Sequence, residues 1–338
     1  MCGIFGAVNT DLSDEKFLSI LRKLNHRGPD DEGFICKYIE NNKIFLGHTR
    51  LSVLDLTLGK QPMISKDENL ILIYNGEIYN HLELRKEIEK KGLKFFTKNS
   101  DTEVLLNAYK LWGESFVKKL NGMWAFCIFD IKEKKLFISR DRFGEKPLFF
   151  KKTPKGIIFG SELKVFESII NDNRDQLSFK NLQKYCAYGF FPKNITPYKD
   201  IFKLNPGSNL VYDLKEHSFK ENFFWKYSIN TDNNISEDEW IYNLDKAIDN
   251  SVKNRMTSDR PIGVFLSGGL DSSLITNYAS KIEKNLNTFA INFDEKSFDE
   301  SSYSNLIAKK YSSIHNVIKF EVQNMNKSFG GLRAINNC

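Results

Sequence analysis

Cys2 carries a thiol, and loss of Met1, which the small side chain at position 2 favours, puts a free α-amine on the same residue. An α-amine titrates at about 7.7–8.0 and a thiol at about 8.5, so near neutral pH the amine can take the thiol proton without a histidine. Gly3 lets the backbone come close to a substrate. A second chemical signal lies far downstream, in "PIGVFLSGGLDSS". There an apolar strand runs directly into Ser267, Gly268, Gly269, Leu270, Asp271, Ser272 and Ser273, and helix-compatible residues follow. Glycines at such a junction let backbone N–H groups face an anion at a helix start. The spacing is not GxxxxGK, and the lysine that reaches terminal phosphates is absent.

Both sites need rigid elements behind them. Strand-like runs rich in Ile, Phe and Val recur through the first two hundred residues: "CGIFGAV", "FICKYI", "KIFLGHT", "NLILIYN", "KLFISRD", "PLFFKK" and "GIIFGS". Helix signals are fewer. One helix is predicted from about Ser13, with Phe17, Leu21 and Leu24 on one face. Another starts at Asn80, where Asn80 and Glu83 form a capping-box pattern, and ends at Gly92; a third spans Thr102–Trp112 and stops at Gly113. Strand runs interrupted by helices imply α+β layers, two packed antiparallel sheets with helices outside. After about residue 210 a final hairpin and a polar linker lead to a helix opened by Ser236 and Glu239. The order then becomes helix, strand "IGVFL", helix, strand "NTFAINF", helix "YSNLIAKKY" and strand "HNVIKF", the rhythm of a parallel α/β sheet. The expected domains are residues 1–210, a hairpin and linker over 211–235, and residues 236–338.

A chain of 338 residues with 41% hydrophobic content suffices for two buried cores. Its net charge of +6 is dispersed rather than gathered into the basic stripe that nucleic acid requires, so no nucleic-acid partner is expected. Cys2, Cys36, Cys127, Cys186 and Cys338 form no CxxC pair and have no histidine at zinc-ligand spacing, which argues against a disulfide framework or zinc site. Cys36, Cys127 and Cys186 lie in apolar strings and read as buried thiols. "GIFGAV" is too short for a signal peptide's apolar region and no long apolar run occurs, so no membrane association and a cytoplasmic location are expected.

Seven segments in order, "MCGIFGAV", "HRGPDDEG", "LGHTRLSVLDL", "YNGEIYN", "SDTEVLL", "NGMWAFCIFD" and "DRFGEKPLFF", resemble the class II glutamine amidotransferases. The resemblance implies an α+β N-terminal-nucleophile sandwich (αββα) with Cys2 as nucleophile. It implies that L-glutamine is held by Arg50, Leu51, Ser52, Val53, Asn75, Gly76, Glu77 and Asp101. These roles make physical sense. A guanidinium presents parallel donors to the substrate α-carboxylate, which lysine does not reproduce; Asp101 offsets the α-ammonium; Asn75 and the Gly76 N–H supply two donors to a tetrahedral oxyanion. Standing alone, "YNGE" is a common turn at a strand end and Arg50 an ion-paired residue. "HRGPDDEG" reads as a loop framing the site, with His26 and Arg27 packing or pairing there, and His48 as a supporting residue.

The downstream loop resembles the pyrophosphate-binding loop of ATP-dependent ligases that form an acyl-adenylate, and the two halves together resemble the glutamine-hydrolysing asparagine synthetases. That resemblance implies ATP and Mg²⁺, L-aspartate as the acceptor activated by ATP, and an internal ammonia channel. It places Ser267, Gly268, Gly269, Leu270, Asp271 and Ser272 at the nucleotide phosphates, with Leu266 and Ile291 beside the adenine. No metal ligand is assigned; Asp271 can meet Mg²⁺ through pyrophosphate. Phosphoribosyl-amine amidotransferases share the cysteine chemistry, but "SGGLDSS" speaks against them. Sixty-seven residues follow Asp271, no second "SGxGxDE" segment occurs, and "NMNKSFGGLRAINNC" resembles nothing in the family. The second domain is therefore expected to be a partial α/β parallel sheet with exposed apolar surface, since such sheets are normally covered on both faces. Three functions stay open: glutamine-dependent asparagine synthesis, a glutaminase releasing glutamate and ammonia, and a non-catalytic remnant that binds glutamine or a partner. A homodimer is compatible with all three.

Overall fold

The computed structural model describes residues 1–170, 176–231, 234–293 and 299–320. The described residues divide into two units, 1–227 and 228–320. In chain order the strands of the first unit are β1 (Gly3–Val8), β2 (Asp31–Ile39), β3 (Asn42–Arg50), β4 (Met63–Ile64), β5 (Leu70–Ile78), β6 (Gly122–Asp130), β7 (Lys135–Arg140), β8 (Phe149–Thr153), β9 (Gly156–Gly160), β10 (Phe202–Lys203), β11 (Ser208–Asp213) and β12 (Ser218–Phe223). Its helices are α1 (Asp14–Leu21), α2 (His81–Lys90), α3 (Asp101–Trp112), α4 (Lys164–Ile170) and α5 (Phe179–Tyr188).

The strands form two six-stranded antiparallel sheets, ordered β10-β8-β9-β1-β3-β2 and β12-β11-β7-β6-β5-β4. Side chains alternate across a strand, and this period sorts the core into three layers. Ile4 and Val8 of β1, Ile44 and Leu46 of β3, Ile71 and Ile73 of β5, and Ala125, Cys127 and Phe129 of β6 meet between the sheets. The other faces of β1 and β3, Phe5, Ala7 and Phe45, pack on Phe17, Ile20 and Leu21 of α1 and on Val165 and Phe166 of α4. Leu72 and Tyr74 of β5, with Trp124, Phe126 and Ile128 of β6, pack on Leu84 and Ile88 of α2 and on Val104, Leu105 and Ala108 of α3. The result is the αββα order, helix, sheet, sheet, helix.

Local signals account for most helix ends. Ser13 Oγ accepts the Lys16 N–H at the start of α1, and Gly113, at φ +58°, ends α3. The capping box predicted at Asn80 does not form: that side chain makes no cap bond to α2. Its Nδ2 instead donates to the Lys119 carbonyl at 3.0 Å, and its Oδ1 accepts the Asn121 N–H at 2.9 Å. A tertiary tie to the approach of β6 outcompetes the local cap. The cysteines need a correction as well. Cys127 is buried, but Cys36 is half-buried and Cys186 is exposed, because α5 buries none of its residues; Cys338 lies outside the described residues. Residue 210 falls inside β11, which pairs with β7, so the sheet continues through that position.

The second unit holds α6 (Glu237–Arg255), β13 (Gly263–Phe265), α7 (Leu270–Ile282), β14 (Asn287–Phe293), α8 (Ser301–Lys310) and β15 (Ile314–Phe320). Ser236 Oγ caps α6 by accepting the Glu239 N–H. The three strands form a parallel sheet in the order β13-β14-β15. Val252, Tyr278, Ala279 and Leu286 make its small core, while Phe265, Ile291 and Ile318 are more than half exposed.

Phe17 is stacked between Phe5 and Phe45, with ring centroids 4.6 and 4.7 Å away, and is fully buried. Phe17→Ala should destabilise the first unit by about 3–5 kcal/mol, read as a lower urea midpoint.

Candidate active site

The inner-face period that builds the core between the sheets also builds the site. Ile44 and Leu46 of β3 face inward, so His48 and Arg50 continue that row. Ile71 and Ile73 of β5 do the same, and Asn75 and Glu77 follow them. In the β1–β3 register Gly3 stands opposite Thr49, which sets Cys2 beside Arg50. Polar residues thus terminate three apolar rows at one end of the sandwich. Cys2, Arg50, Leu51, Val53, Asn75, Gly76, Glu77 and Asp101 line a single cleft of about 150 Å³. Ser52 is the member of the expected set outside this lining; its N–H donates to Asp30 Oδ2 at 2.8 Å.

The sulfur of Cys2 sits against the backbone of Leu51, accepting its N–H at 3.3 Å and lying 3.6 Å from its carbonyl oxygen. Burial pushes the thiol up, so it is protonated at neutral pH and requires a base. His48 is not that base. It is buried, its Nε2 lies 3.0 Å from the Tyr74 carbonyl, and burial holds it down at about 3. A neutral His48 donating to Tyr74 ties β3 of one sheet to β5 of the other.

Asn75 is 1% exposed, and its Nδ2 has no hydrogen-bond partner. A buried amide donor without an acceptor costs about 1–3 kcal/mol, so this group is poised for something that enters the cleft. At Gly76 a Cβ would stand 2.2 Å from the Met123 carbonyl oxygen, which explains the glycine. Arg50 is buried and engaged: its NH1 donates to the Leu56 carbonyl at 3.2 Å and its NH2 to those of Leu54 and Asp55 at 3.2 and 2.7 Å. The guanidinium therefore braces the 54–56 loop while lining the cleft. Asp101, at the start of α3, accepts from the Tyr74 hydroxyl at 2.9 Å and the Ile78 N–H at 3.1 Å, and burial pushes its carboxyl up. Burial, then the neighbouring Asp101, push Glu77 up to about 7.

Sequence reasoning missed Lys146, Tyr74, Gln61 and Thr102, which line the same cleft. Lys146 lies within "DRFGEKPLFF", yet nothing in that segment says which side chain points inward. The structure explains it: Asp141 accepts the N–H groups of Trp124, Phe143, Glu145 and Lys146 at 2.9–3.2 Å. Arg140 grips the Lys146 and Gly144 carbonyls, both at 2.8 Å. His26 and Arg27 do pair, both with Glu162.

Residues 1–225 match the glutamine amidotransferase domain family. The chain belongs to the glutamine amidotransferase family. Residues 243–330 match the asparagine synthase family. The amidotransferase chain is 37% identical to the putative asparagine synthetase (glutamine-hydrolyzing) 2 of Methanocaldococcus jannaschii, over 95% of this chain and 65% of the relative. It is 36% identical to asparagine synthetase (glutamine-hydrolyzing) 1 of Bacillus subtilis, over 89% of this chain and 47% of the relative. The chain thus spans between about half and two thirds of the length of these relatives. Among solved structures, the glutamine phosphoribosylpyrophosphate amidotransferase of B. subtilis shares the fold, with a TM-score of 0.50 at 17% identity, covering 94% of this chain and 65% of that one.

In the second unit of this amidotransferase, Leu266 is buried and donates its N–H to the Phe289 carbonyl at 2.8 Å, while Ile291 on β14 is 56% exposed. Gly268 has φ +90°, and a Cβ there would stand 2.5 Å from Tyr303 Cβ. Gly269 is the N-cap of α7, with no side-chain cap bond, and Ser267 Oγ accepts its N–H at 3.3 Å. Ser272 Oγ lies 3.2 Å from Ser267 Oγ, Asp271 is in the first turn, and Leu270 is exposed. Ser273 Oγ is buried without a partner. No helix among the described residues is long and apolar enough to cross a membrane.

The Glu77 shift fixes a pH dependence. A carboxyl with a higher pKa folded than unfolded binds its proton more tightly in the fold; that stabilisation is complete below the unfolded value of about 4.3 and is lost as pH rises through about 7. The melting temperature of Glu77→Gln relative to the parent should therefore rise between pH 5 and pH 8. Thermal denaturation at both values checks it.

Proposed function

We propose that Cys2 hydrolyses the side-chain amide of L-glutamine, and that the ammonia is used with ATP to convert L-aspartate to asparagine. The observation that carries the glutaminase half is the buried, unpartnered Nδ2 of Asn75 in the cleft that holds Cys2. Removal of Met1, which itself lines the cleft, frees the Cys2 α-amine. An α-amine titrates at about 7.7–8.0, which suits it to serve as base near neutral pH. The amine takes the thiol proton and the sulfur attacks the amide carbon. Asn75 Nδ2 and the Gly76 N–H receive the oxyanion. The carbon–nitrogen bond breaks as the amine returns its proton, so ammonia leaves and a thioester remains. Water, deprotonated by the same amine, then releases glutamate and restores the thiol. Arg50 meets the substrate α-carboxylate and Asp101, with Glu77, its α-ammonium.

The matched asparagine synthase segment and the loop before α7 support the second half-reaction. The open N-terminus of α7 and the unpartnered Ser273 hydroxyl suit phosphate oxygens. Asp271 in the same turn would help to hold Mg²⁺, which would supply positive charge to offset the phosphates. ATP supplies the leaving group that makes the aspartate carboxylate an acyl donor for ammonia.

Amide-¹⁵N glutamine supplied with ATP, Mg²⁺ and aspartate should place label in asparagine. Label appearing only as ammonia would reduce the function to a glutaminase, and no release above a Cys2→Ala control would overturn the proposal. Asn75→Ala should lower kcat by about a hundred- to a thousandfold, with a smaller change in KM, in steady-state assays of glutamate release.

A further inference from the structure

We propose that Glu162 is the positioning residue for Cys2, acting through Arg27; this rests on the reading of Cys2 as the nucleophile. Glu162 follows β9 and is 2% exposed. Its Oε1 takes two bonds, from Arg27 NH1 at 3.0 Å and from His26 Nε2 at 2.8 Å. Arg27, itself buried, passes this grip on: its Nε donates to the Cys2 carbonyl oxygen at 3.0 Å. The preceding residue fixes the other side of the nucleophile. Ser161 Oγ accepts the Ile4 N–H at 2.9 Å, and the Ser161 N–H donates to the Ile4 carbonyl at 3.0 Å. Between them, a Cβ on Gly3 would stand 2.7 Å from Thr49 Oγ1 and 2.8 Å from Leu24 Cβ. The Ser161–Glu162 pair thus holds the start of β1 at residues 2 and 4, while residue 3 is walled in.

The second carboxylate oxygen, Oε2, is buried without a partner. Glu162 therefore holds Arg27 through Oε1 alone; the other end of the guanidinium reaches Met1 Sδ at 3.7 Å, a contact that goes with Met1 when that residue is removed. Loss of Glu162 frees Arg27 to turn and releases the Cys2 carbonyl. The thiol then drifts from the Leu51 N–H and from the donors of Asn75 and Gly76, whereas Arg50 and Asp101 keep their own supports. The expected signature is a fall in turnover with substrate binding preserved.

The test uses the full-length chain with Glu162→Ala and Glu162→Gln. Glu162→Ala should lower kcat for glutamine hydrolysis by about tenfold to a hundredfold, the scale of a small misplacement at a reacting group, with KM within about threefold of the parent. Glu162→Gln should recover most of the loss, because an amide oxygen can accept from both Arg27 and His26. Rates are expressed per Cys2 titrated with a glutamine-derived diazoketone, so that a merely structural role, which lowers the folded fraction, leaves them unchanged. An unchanged rate in Glu162→Ala, or a Gln variant as slow as the Ala variant, overturns the proposal. A parent enzyme without glutaminase activity instead defeats the reading of Cys2. In that event a ¹³C-labelled Cys2 carbonyl decides the matter by NMR: its shift moves in Glu162→Ala and holds in Glu162→Gln, and an unmoved shift in Glu162→Ala rejects the assignment.

Discussion

The hydrogen bond from His48 to the Tyr74 carbonyl crosses between two sheets, and the site depends on the relation it fixes. On one side stand Cys2 and Arg50, carried by β1 and β3; on the other stand Asn75 and Glu77, carried by β5. Each row begins apolar in the middle of the sandwich and turns polar at the same end. A slip of one residue in β5 would exchange Asn75 and Glu77 for Tyr74 and Gly76 on the inner face. The imidazole stays neutral because burial makes its charged form costly, and it still donates one N–H to the carbonyl.

Around this frame the cleft gathers charges that water would otherwise solvate. Arg50, Lys146, Glu77 and Asp101 line it together, and burial is the first cause of the shifts at Lys146, Glu77 and Asp101. Removing water from like-charged Glu77 and Asp101 is unfavourable; a ligand with a cationic group offsets it, as an anionic group matches Arg50 and Lys146. The cost is sustained by supports behind the cleft. Asp101 holds the Ile78 N–H and the Tyr74 hydroxyl, and the Asp141 carboxylate collects four backbone N–H groups to shape the loop that carries Lys146.

What was legible in the sequence follows from how local each determinant is. β1, β2, β3, β5, β7, β8 and β9 carry their own period, and α1 and α3 their own stripes and end signals, so pattern alone located them, whereas β4, β6 and β10 were not singled out. The parallel order of β13, β14 and β15 followed from the alternation of strand and helix. Asn80 looked like a cap because a capping box is a four-residue pattern, but its partners are Lys119 and Asn121, about forty positions away. Cys186 looked buried because its neighbours are apolar, yet α5 exposes Phe179, Tyr185 and Tyr188 as well. Lys146 was invisible for a related reason: its direction is set by Asp141 and Arg140 through a loop conformation that spacing does not encode.

Cys2, the proposed nucleophile, is the extreme case of non-local support. Cys2 is held at its sulfur by a residue 49 positions away and at its carbonyl by one 25 away, and Ile4 is held by one 157 away. Within the three residues Cys2, Gly3 and Ile4 there is no conformational preference strong enough to fix the thiol. Each supporting residue is presented by a different stretch: Leu51 just past β3, Arg27 after α1, Ser161 after β9. Since β1 lies between β3 and β9, the contacts from Leu51 and Ser161 reach it from the strands on its two sides. The Asn75 donor lies on the other sheet, so the full constellation requires both sheets and the His48 tie between them. The surroundings of the Cys2 thiol are thus made by the completed sandwich and not by the residues next to it in sequence.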